Sequence, residues 1–148
     1  MTHQSLKCHK AAILLGGHSS RMGGKPKFLL KDGKGQSYLK RQIKALEKAD
    51  RIYLSAADAA QLALIQNVYK DKDCYGLIDV VKDCGPLGGL YTVLQQLKDE
   101  DEWIFVTACD VPELTESMVG SLIQMSADAY EQGYDCMAYQ DSRGRIHP

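Results

Sequence analysis

The sequence predicts an α/β protein whose mainly parallel β-sheet is covered by helices on both faces. Short apolar segments of strand length alternate with segments in which apolar residues recur at helical spacing, a pattern that is typical of parallel sheets. A glycine-rich loop directly follows the first apolar segment, as in many ligand-binding folds of this class. The chain of 148 residues has the size of one domain, and no repeat or linker divides it. We therefore expect residues 1–148 to form a single domain.

Five segments are predicted as strands because apolar, β-branched or aromatic residues fill them between turn-forming residues. They are Ala11–Leu15, Ile52–Ser55, Leu77–Val81, Trp103–Thr107 and Tyr134–Tyr139. Apolar residues between the strands recur at helical spacing and predict three helices. These residues are Leu39, Ile43 and Leu46, then Leu62, Ile65 and Val68, and then Leu90, Val93, Leu94 and Leu97. Thr115 is the predicted N-cap of a fourth helix that carries Met118, Leu122, Ile123 and Met125.

The loop after the first predicted strand has the composition of a phosphate-binding loop. Residues 16–27 include four glycines, Arg21 and two lysines. Glycines allow backbone N–H groups to approach a ligand closely, and the cations then face an anion, for which polyphosphate is the candidate. The loop is not a Walker A motif, because Pro26 follows Gly24-Lys25 where that motif has Ser or Thr. It also lacks the Gly-x-Gly-x-x-Gly spacing of dinucleotide-binding folds.

Two further polar motifs follow predicted strands. Asp83 comes after the third strand, in Asp-Cys-Gly-Pro-Leu-Gly-Gly-Leu, and Asp110 comes after the fourth, in Cys-Asp-Val-Pro. Because ligands bind at the carboxyl ends of parallel strands, we expect both motifs to meet the glycine loop at one edge of the sheet. A lone carboxylate at a strand end suits Mg²⁺, which takes one or two carboxylates together with phosphate oxygens and waters.

In residues and spacing, these motifs resemble those of the molybdenum cofactor guanylyltransferases, the molybdopterin-guanine dinucleotide biosynthesis protein A family. That family's signature is Leu-x-Gly-Gly-x-Ser-x-Arg-Met-Gly-x-x-Lys. The matching residues here are Leu14, Gly16, Gly17, Ser19, Arg21, Met22, Gly23 and Lys27. The other two motifs look like the family's Gly-Pro-Leu-Ala-Gly turn with its preceding aspartate, and its Cys-Asp-x-Pro. The resemblance implies a three-layer Rossmann-like nucleotidyltransferase fold. The Gly16-Gly17 pair favours the guanylyl branch, because cytidylyl and sugar-phosphate relatives more often carry Ala-Gly.

The resemblance also implies a role for each matching residue. The nucleotide would be bound by Leu14, Leu15, Gly16, Gly17, Lys27, Ser55, Asp83 and Asp110. The acceptor would be bound by Arg21, Gly24, Gly85, Gly88 and Gly89. Arg21, Lys27 and Asp110 would be catalytic, and Asp110 would hold the metal. Ser55 or Asp58 replaces an asparagine that the family usually has after its second strand.

Some of these residues have an ordinary structural interpretation as well. Asp83 equally suits a turn-forming aspartate before Gly-Pro. The glycines of the second motif equally suit a helix start and close packing. Asp110 is also of a residue type that caps helices, although Thr115 is the better-placed cap.

The implied reaction is transfer of GMP from GTP to the phosphate of the molybdopterin cofactor, with Mg²⁺ as cofactor and pyrophosphate as the second product. A molybdoenzyme or another cofactor-biosynthesis protein is a candidate partner. A cytidylyl- or sugar-phosphate nucleotidyltransferase is the first alternative. The second alternative is a non-catalytic fragment that binds nucleotide or cofactor.

The net charge, the cysteine content and the chain termini restrict the partners and the cellular location that we expect. The net charge of −1 predicts binding to neither nucleic acid nor an anionic membrane. Met1–Lys10 lacks the apolar core of a signal peptide, and the five dispersed cysteines form no Cys-x-x-Cys, so we expect a cytoplasmic protein with reduced thiols. Arg145-Ile-His-Pro looks like the family's Arg-x-His-Pro, which ordinarily leads into a further strand, helices and an asparagine-containing segment. We therefore expect a domain truncated at its C-terminus, with a naturally short protein as the alternative.

Overall fold

The computed structural model of the chain describes residues 10–16, 26–69, 73–98, 103–111 and 113–147. Within these ranges one sheet contains four parallel strands, β1 (Lys10–Leu14), β2 (Arg51–Ala56), β3 (Cys74–Ile78) and β4 (Ile104–Ala108). Their order across the sheet is β3-β2-β1-β4, so β1 pairs with β2 on one side and with β4 on the other. The predicted parallel sheet is confirmed, and the bounds of β1, β2 and β4 agree with the prediction to within one residue.

Four α-helices connect and follow these strands in the part of the chain that the structure describes. They are α1 (Tyr38–Ala45), α2 (Ala59–Val68), α3 (Pro86–Gln96) and α4 (Glu116–Glu131), and a short 3-10 helix, Lys27–Leu29, precedes α1. The side chains of Ser37, Asp58 and Thr115 cap α1, α2 and α4 by accepting hydrogen bonds from backbone N–H groups of the first turn. The predicted cap at Thr115 is therefore confirmed.

The apolar side chains of β1, and that of Leu15 directly after it, are divided between two hydrophobic cores. Ala11, Ile13 and Leu15 lie in one core with residues of α1, α2 and α4, whereas Ala12 and Leu14 pack against α3 on the opposite face. Successive side chains of a strand point to opposite faces of its sheet, so a strand buried on both faces is apolar throughout. Helices therefore cover both faces, and the predicted three-layer Rossmann-like fold is confirmed.

The predicted bounds of the third strand are wrong by three residues, because β3 is Cys74–Ile78 and not Leu77–Val81. The apolar pair that suggested the later segment, Val80 and Val81, is 63% and 41% exposed. β3 is an edge strand whose Gly76 packs directly against Leu62 of α2, and a Cβ at that position would overlap the leucine side chain. A glycine inside a strand weakens the apolar pattern. The predicted strand was therefore assigned to the more apolar residues that follow Gly76.

The predicted fifth strand, Tyr134–Tyr139, is also wrong. Among the described residues, β5 (Tyr139–Gln140) pairs antiparallel with β6 (Ile146–His147) and does not join the parallel sheet. Helix α4 ends at Glu131, and Gly133, with a φ of 81°, lets the N–H groups of residues 133 and 134 bond back to helix carbonyls. No helix in the described ranges is both long and apolar enough to cross a membrane.

Candidate functional site at the carboxyl edge of the sheet

The carboxyl ends of β1 and β4 lie side by side at the point where the strand order reverses. Leu14 is in register with Ala108, and the N–H of Cys109 donates to the carbonyl of Leu14 at 3.1 Å. Gly16 and Asp110 follow these strand ends, so the first and third motifs meet at one edge as expected. In open α/β sheets, ligands bind in the crevice at such a reversal point.

The charged groups of Lys27 and Asp110 form an ion pair at this edge, with Nζ and Oδ2 separated by 3.7 Å. The two side chains are 45% and 57% exposed, so a ligand can reach both of them. Lys27 begins the 3-10 helix, and its neighbour Phe28 is buried in the core and anchors that helix. Because exposed ion pairs contribute little to stability, this pair matters more for the charge of the site than for the fold.

Cys109, next to Asp110, does not supply a nucleophile. Its side chain is 8% exposed and packs in the core. Burial, together with the neighbouring Asp110 carboxylate, raises the pKa of the Cys109 thiol to about 11. The thiol is therefore protonated at neutral pH, and the thiolate is the reactive form of cysteine.

A buried aspartate that the sequence analysis missed lies directly after β3. Asp79 is 5% exposed, and the hydroxyl of Ser55 donates a hydrogen bond to its Oδ1. Two glycines leave the space for this polar pair. A Cβ on Gly16 would lie 2.6 Å from Oδ2 of Asp79, and a Cβ on Gly89 would lie 2.9 Å from Oγ of Ser55. Burial raises the pKa of Asp79, while the Ser55 hydrogen bond and the charge of Lys82 oppose the rise.

The displaced prediction of the third strand explains why Asp79 was missed. With the strand assigned to Leu77–Val81, Asp79 fell inside it and Asp83 became the first carboxylate beyond its end. In the structure, Asp83 lies in an exposed turn with a φ of 56°, a conformation that aspartate tolerates better than most residues. The feature of the sequence that could have identified Asp79 is its position immediately after Gly76-Leu-Ile.

The residues predicted to contact the nucleotide differ in how accessible they are. Leu14, Leu15 and Ser55 are buried. The backbone of Leu15 is occupied by hydrogen bonds, because its N–H donates to the carbonyl of Ser55 and its carbonyl accepts from Nε2 of Gln61. Gly16 is the first partly exposed residue after β1. A ligand at this end of β1 would therefore contact Gly16 before Leu14 or Leu15. The Ser55 hydroxyl would affect the ligand indirectly, by orienting the Asp79 carboxylate.

The three described glycines predicted to bind the acceptor occupy different environments at the start of α3. Gly85 is exposed and has a φ of 56°, and open space surrounds the position of a Cβ. Gly88 is buried, and a Cβ there would lie 2.7 Å from the carbonyl oxygen of Val81. Gly89 packs against Ser55 and Asp79. The remaining predicted site residues, Gly17, Arg21 and Gly24, lie outside the described residues.

The surroundings of Asp110 fit a magnesium ion that is held mostly by ligand and water. Within the described ranges, no three His, Cys, Asp or Glu side chains come together as a ready-made metal site. Mg²⁺ in phosphate-transfer sites commonly has one or two protein carboxylates and completes its octahedron with phosphate oxygens and waters. An exposed carboxylate such as that of Asp110 leaves room for those other ligands.

A family model described as a MobA-like NTP transferase domain matches residues 11–148 of the chain. The match begins in β1 and includes Lys27, Asp79 and Asp110. It therefore covers all of the described strand ends that form the edge.

Proposed function

The chain belongs to the MobA-like NTP transferase domain family, and we propose that it transfers GMP from GTP to the terminal phosphate of the molybdopterin cofactor. The family establishes a nucleotidyltransferase that uses a nucleoside triphosphate as substrate. The base, the acceptor and the roles of individual residues are our proposal. In the reaction, an oxygen of the acceptor phosphate forms a bond to the α-phosphorus of GTP, and the bond from that phosphorus to pyrophosphate breaks.

The observation that carries this proposal is the Lys27–Asp110 pair at the reversal point of the sheet. Phosphoryl and nucleotidyl transfer require positioning and neutralisation of charge more than covalent chemistry by the protein. The Lys27 ammonium would bind the triphosphate as a compact point charge, which releases Asp110 to bind Mg²⁺. The metal, when bound, lowers the electrostatic cost of attack on a highly charged phosphate. The acceptor phosphate is already ionised at neutral pH, so no general base is needed.

The Asp79 carboxylate supports guanine as the base. Guanine presents two adjacent donors, N1–H and the N2 amino group, and a carboxylate can accept from both. Cytosine and uracil do not present two adjacent donors on that edge. Ser55 orients one carboxylate oxygen, and the other lies directly beside Gly16 at the end of β1. In this proposal Asp79 joins Leu14, Leu15, Gly16 and the other predicted nucleotide-binding residues.

The start of α3 supports an acceptor site next to the nucleotide. Gly85 is exposed there, and Pro86 begins the helix. Gly88 and Gly89 would contribute through packing, because their lack of side chains lets α3 approach the Val81 carbonyl and the Ser55–Asp79 pair. Arg21, whose planar guanidinium suits a phosphate of either substrate, completes the proposed acceptor residues together with Gly24.

Isothermal titration of the chain with GTP, CTP and UTP, each in the presence of Mg²⁺, tests the base. Selective binding of GTP that is lost in Lys27→Ala supports the proposal, and Lys48→Ala, which breaks an exposed ion pair with Glu116 elsewhere, is the matched control. Preference for CTP or UTP would assign the chain to another branch of nucleotidyltransferases.

Release of pyrophosphate from GTP in the presence of molybdopterin tests the reaction. Production of the guanine dinucleotide supports the proposed acceptor. GTP binding without pyrophosphate release would instead favour a nucleotide-binding module, and binding of none of the three nucleotides would overturn the proposal.

A further inference from the structure

Gln42 of α1 reaches across to the turn that carries Asp110. The side chain is fully buried, and its Nε2 donates to the carbonyl oxygen of Ala108 at 2.6 Å and to that of Val111 at 3.1 Å. These two carbonyls precede and follow Asp110 in the chain. A single amide group therefore bridges both sides of the turn at the end of β4.

The position of Gln42 would ordinarily be occupied by an apolar residue. It lies on the buried face of α1 together with Leu39 and Ile43, and its Oε1 has no hydrogen-bond partner among the described residues. Burial of an amide with an unpaired acceptor is unfavourable. The two hydrogen bonds to the turn are the interactions in the structure that compensate for this burial.

The Asp110 side chain depends on its backbone for its position. It is 57% exposed and forms an exposed ion pair with Lys27, an interaction that solvent weakens. The turn is also tied by the hydrogen bond from the Cys109 N–H to the Leu14 carbonyl. Gln42 adds the connection from the opposite side, from a helix that is packed in the core.

We propose that Gln42 is a positioning residue for the Asp110 carboxylate. Gln42 holds the turn from Ala108 to Val111 in the geometry that metal binding requires. This inference rests on the proposed function, in which Asp110 binds Mg²⁺. Gln42 itself touches neither substrate nor metal in this proposal. Groups that orient a metal ligand in this indirect way commonly change metal affinity by about 10-fold to 100-fold when they are replaced.

The test is Gln42→Leu, which places an apolar side chain of similar size in the core and removes both donors. We expect the Mg²⁺ concentration for half-maximal transfer of GMP from GTP to rise by about tenfold or more. At saturating Mg²⁺, the KM for GTP should stay within about twofold of the wild-type value, since the nucleotide contacts are retained. Ser126→Ala is the matched control, because it removes a buried hydroxyl that donates to the Ile123 carbonyl within α4, away from the edge.

Gln42→Glu is a second variant that tests the same donors. An ionised carboxylate at this position cannot donate and would face the carbonyl oxygens of Ala108 and Val111. We therefore expect Gln42→Glu to raise the Mg²⁺ requirement at least as much as Gln42→Leu does. An unchanged Mg²⁺ requirement in both variants would overturn the inference.

Amide hydrogen exchange of the nucleotide-free chain separates this inference from the proposed function. Faster exchange at residues 109–111 in Gln42→Leu than in wild type and Ser126→Ala would support the positioning role, and equal exchange would overturn it. If the wild-type chain neither binds GTP nor transfers GMP from it, the proposed function fails, and the exchange experiment still decides whether Gln42 holds the turn.

Discussion

Nζ of Lys27 and Oδ2 of Asp110 lie 3.7 Å apart at the carboxyl edge of the sheet, and each side chain is about half exposed. In the nucleotide-free chain, the two opposite charges partly neutralise each other. Binding of a triphosphate with Mg²⁺ would exchange this one pair for two new interactions, lysine with phosphate and carboxylate with metal. The ion pair therefore keeps both charged groups at the reversal point, and the stability of the fold depends little on it.

Replacement of Asp110 by Asn should abolish Mg²⁺-dependent transfer and leave the fold intact. Asparagine keeps the shape of the side chain but lacks the negative charge that the metal requires. Loss of an exposed ion pair should lower the free energy of unfolding by less than about 1 kcal/mol. Pyrophosphate release and denaturant unfolding measure the two effects, with Lys48→Ala as the control that breaks another exposed pair. Full activity of Asp110→Asn would remove the metal-binding role.

Replacement of Asp79 by Asn should cost nucleotide preference rather than stability. Burial raises the pKa of Asp79 above 3.8, against the opposing effects of Ser55 and Lys82. The folded state then holds the proton more tightly than the unfolded state, so the contribution of this group to stability falls as the pH rises from 3.8 through the raised pKa. Asparagine has no such pH dependence and can still accept the Ser55 hydrogen bond.

We therefore expect Asp79→Asn to be at least as stable as the wild type at pH 7, with its advantage shrinking as the pH is lowered toward 3.8. Denaturant unfolding at several pH values measures the stability, and calorimetry should show that the preference for GTP over CTP is lost. A marked loss of stability at pH 7 would mean that the ionised carboxylate is favourable in the fold, contrary to the expected sign.

Replacement of Gly89 by Ala should disrupt the Ser55–Asp79 pair from the side that faces α3. The added Cβ would lie 2.9 Å from Oγ of Ser55 and 3.2 Å from Cδ2 of Leu14, and both of these residues are buried. Overpacking of this kind typically lowers the free energy of unfolding by about 1–3 kcal/mol. Denaturant unfolding measures the change.

Gly120 supplies the matched control for that substitution. It lies on the exposed face of α4, and among the described residues no atom outside its own stretch of helix lies within 4 Å of the position of its Cβ. Gly120→Ala should therefore stabilise the protein, by about 0.5–1 kcal/mol, through the higher helix propensity of alanine. Equal effects of the two substitutions would show that α3 does not pack against Ser55 as closely as the structure indicates.

Cys109 should resist alkylation in the folded protein and should be dispensable for transfer. Its buried thiol has a pKa raised to about 11, so very little thiolate is present at pH 8. The exposed thiols of Cys84 and Cys136 are free and should react first with iodoacetamide, as peptide mapping would show. Cys109→Ala should retain pyrophosphate release. Loss of transfer without loss of stability in that variant would point to a chemical role for the thiol.

The sequence by itself determined the class of fold, because the burial of each strand and helix imposes a regular pattern of apolar residues along its segment. Segments that are mostly apolar marked β1, β2 and β4 as strands of a covered sheet, and helical spacing marked the helices between them. The position of Asp110 just beyond the end of β4 also followed from local pattern and motif, since parallel strands bring their carboxyl ends to one edge.

Only the tertiary structure decided which residues meet at that edge. The Asp79 cluster joins Gly16, Ser55, Asp79 and Gly89, which come from four separate segments, and the bridge from Gln42 to the Asp110 turn joins α1 to β4. The sequence pattern also misplaced β3, because Gly76 is there to accommodate Leu62 of a neighbouring helix. Periodicity reports whether a residue is buried, whereas the identity of its neighbours depends on how closely distant segments approach, and that is set by the packing of the whole domain.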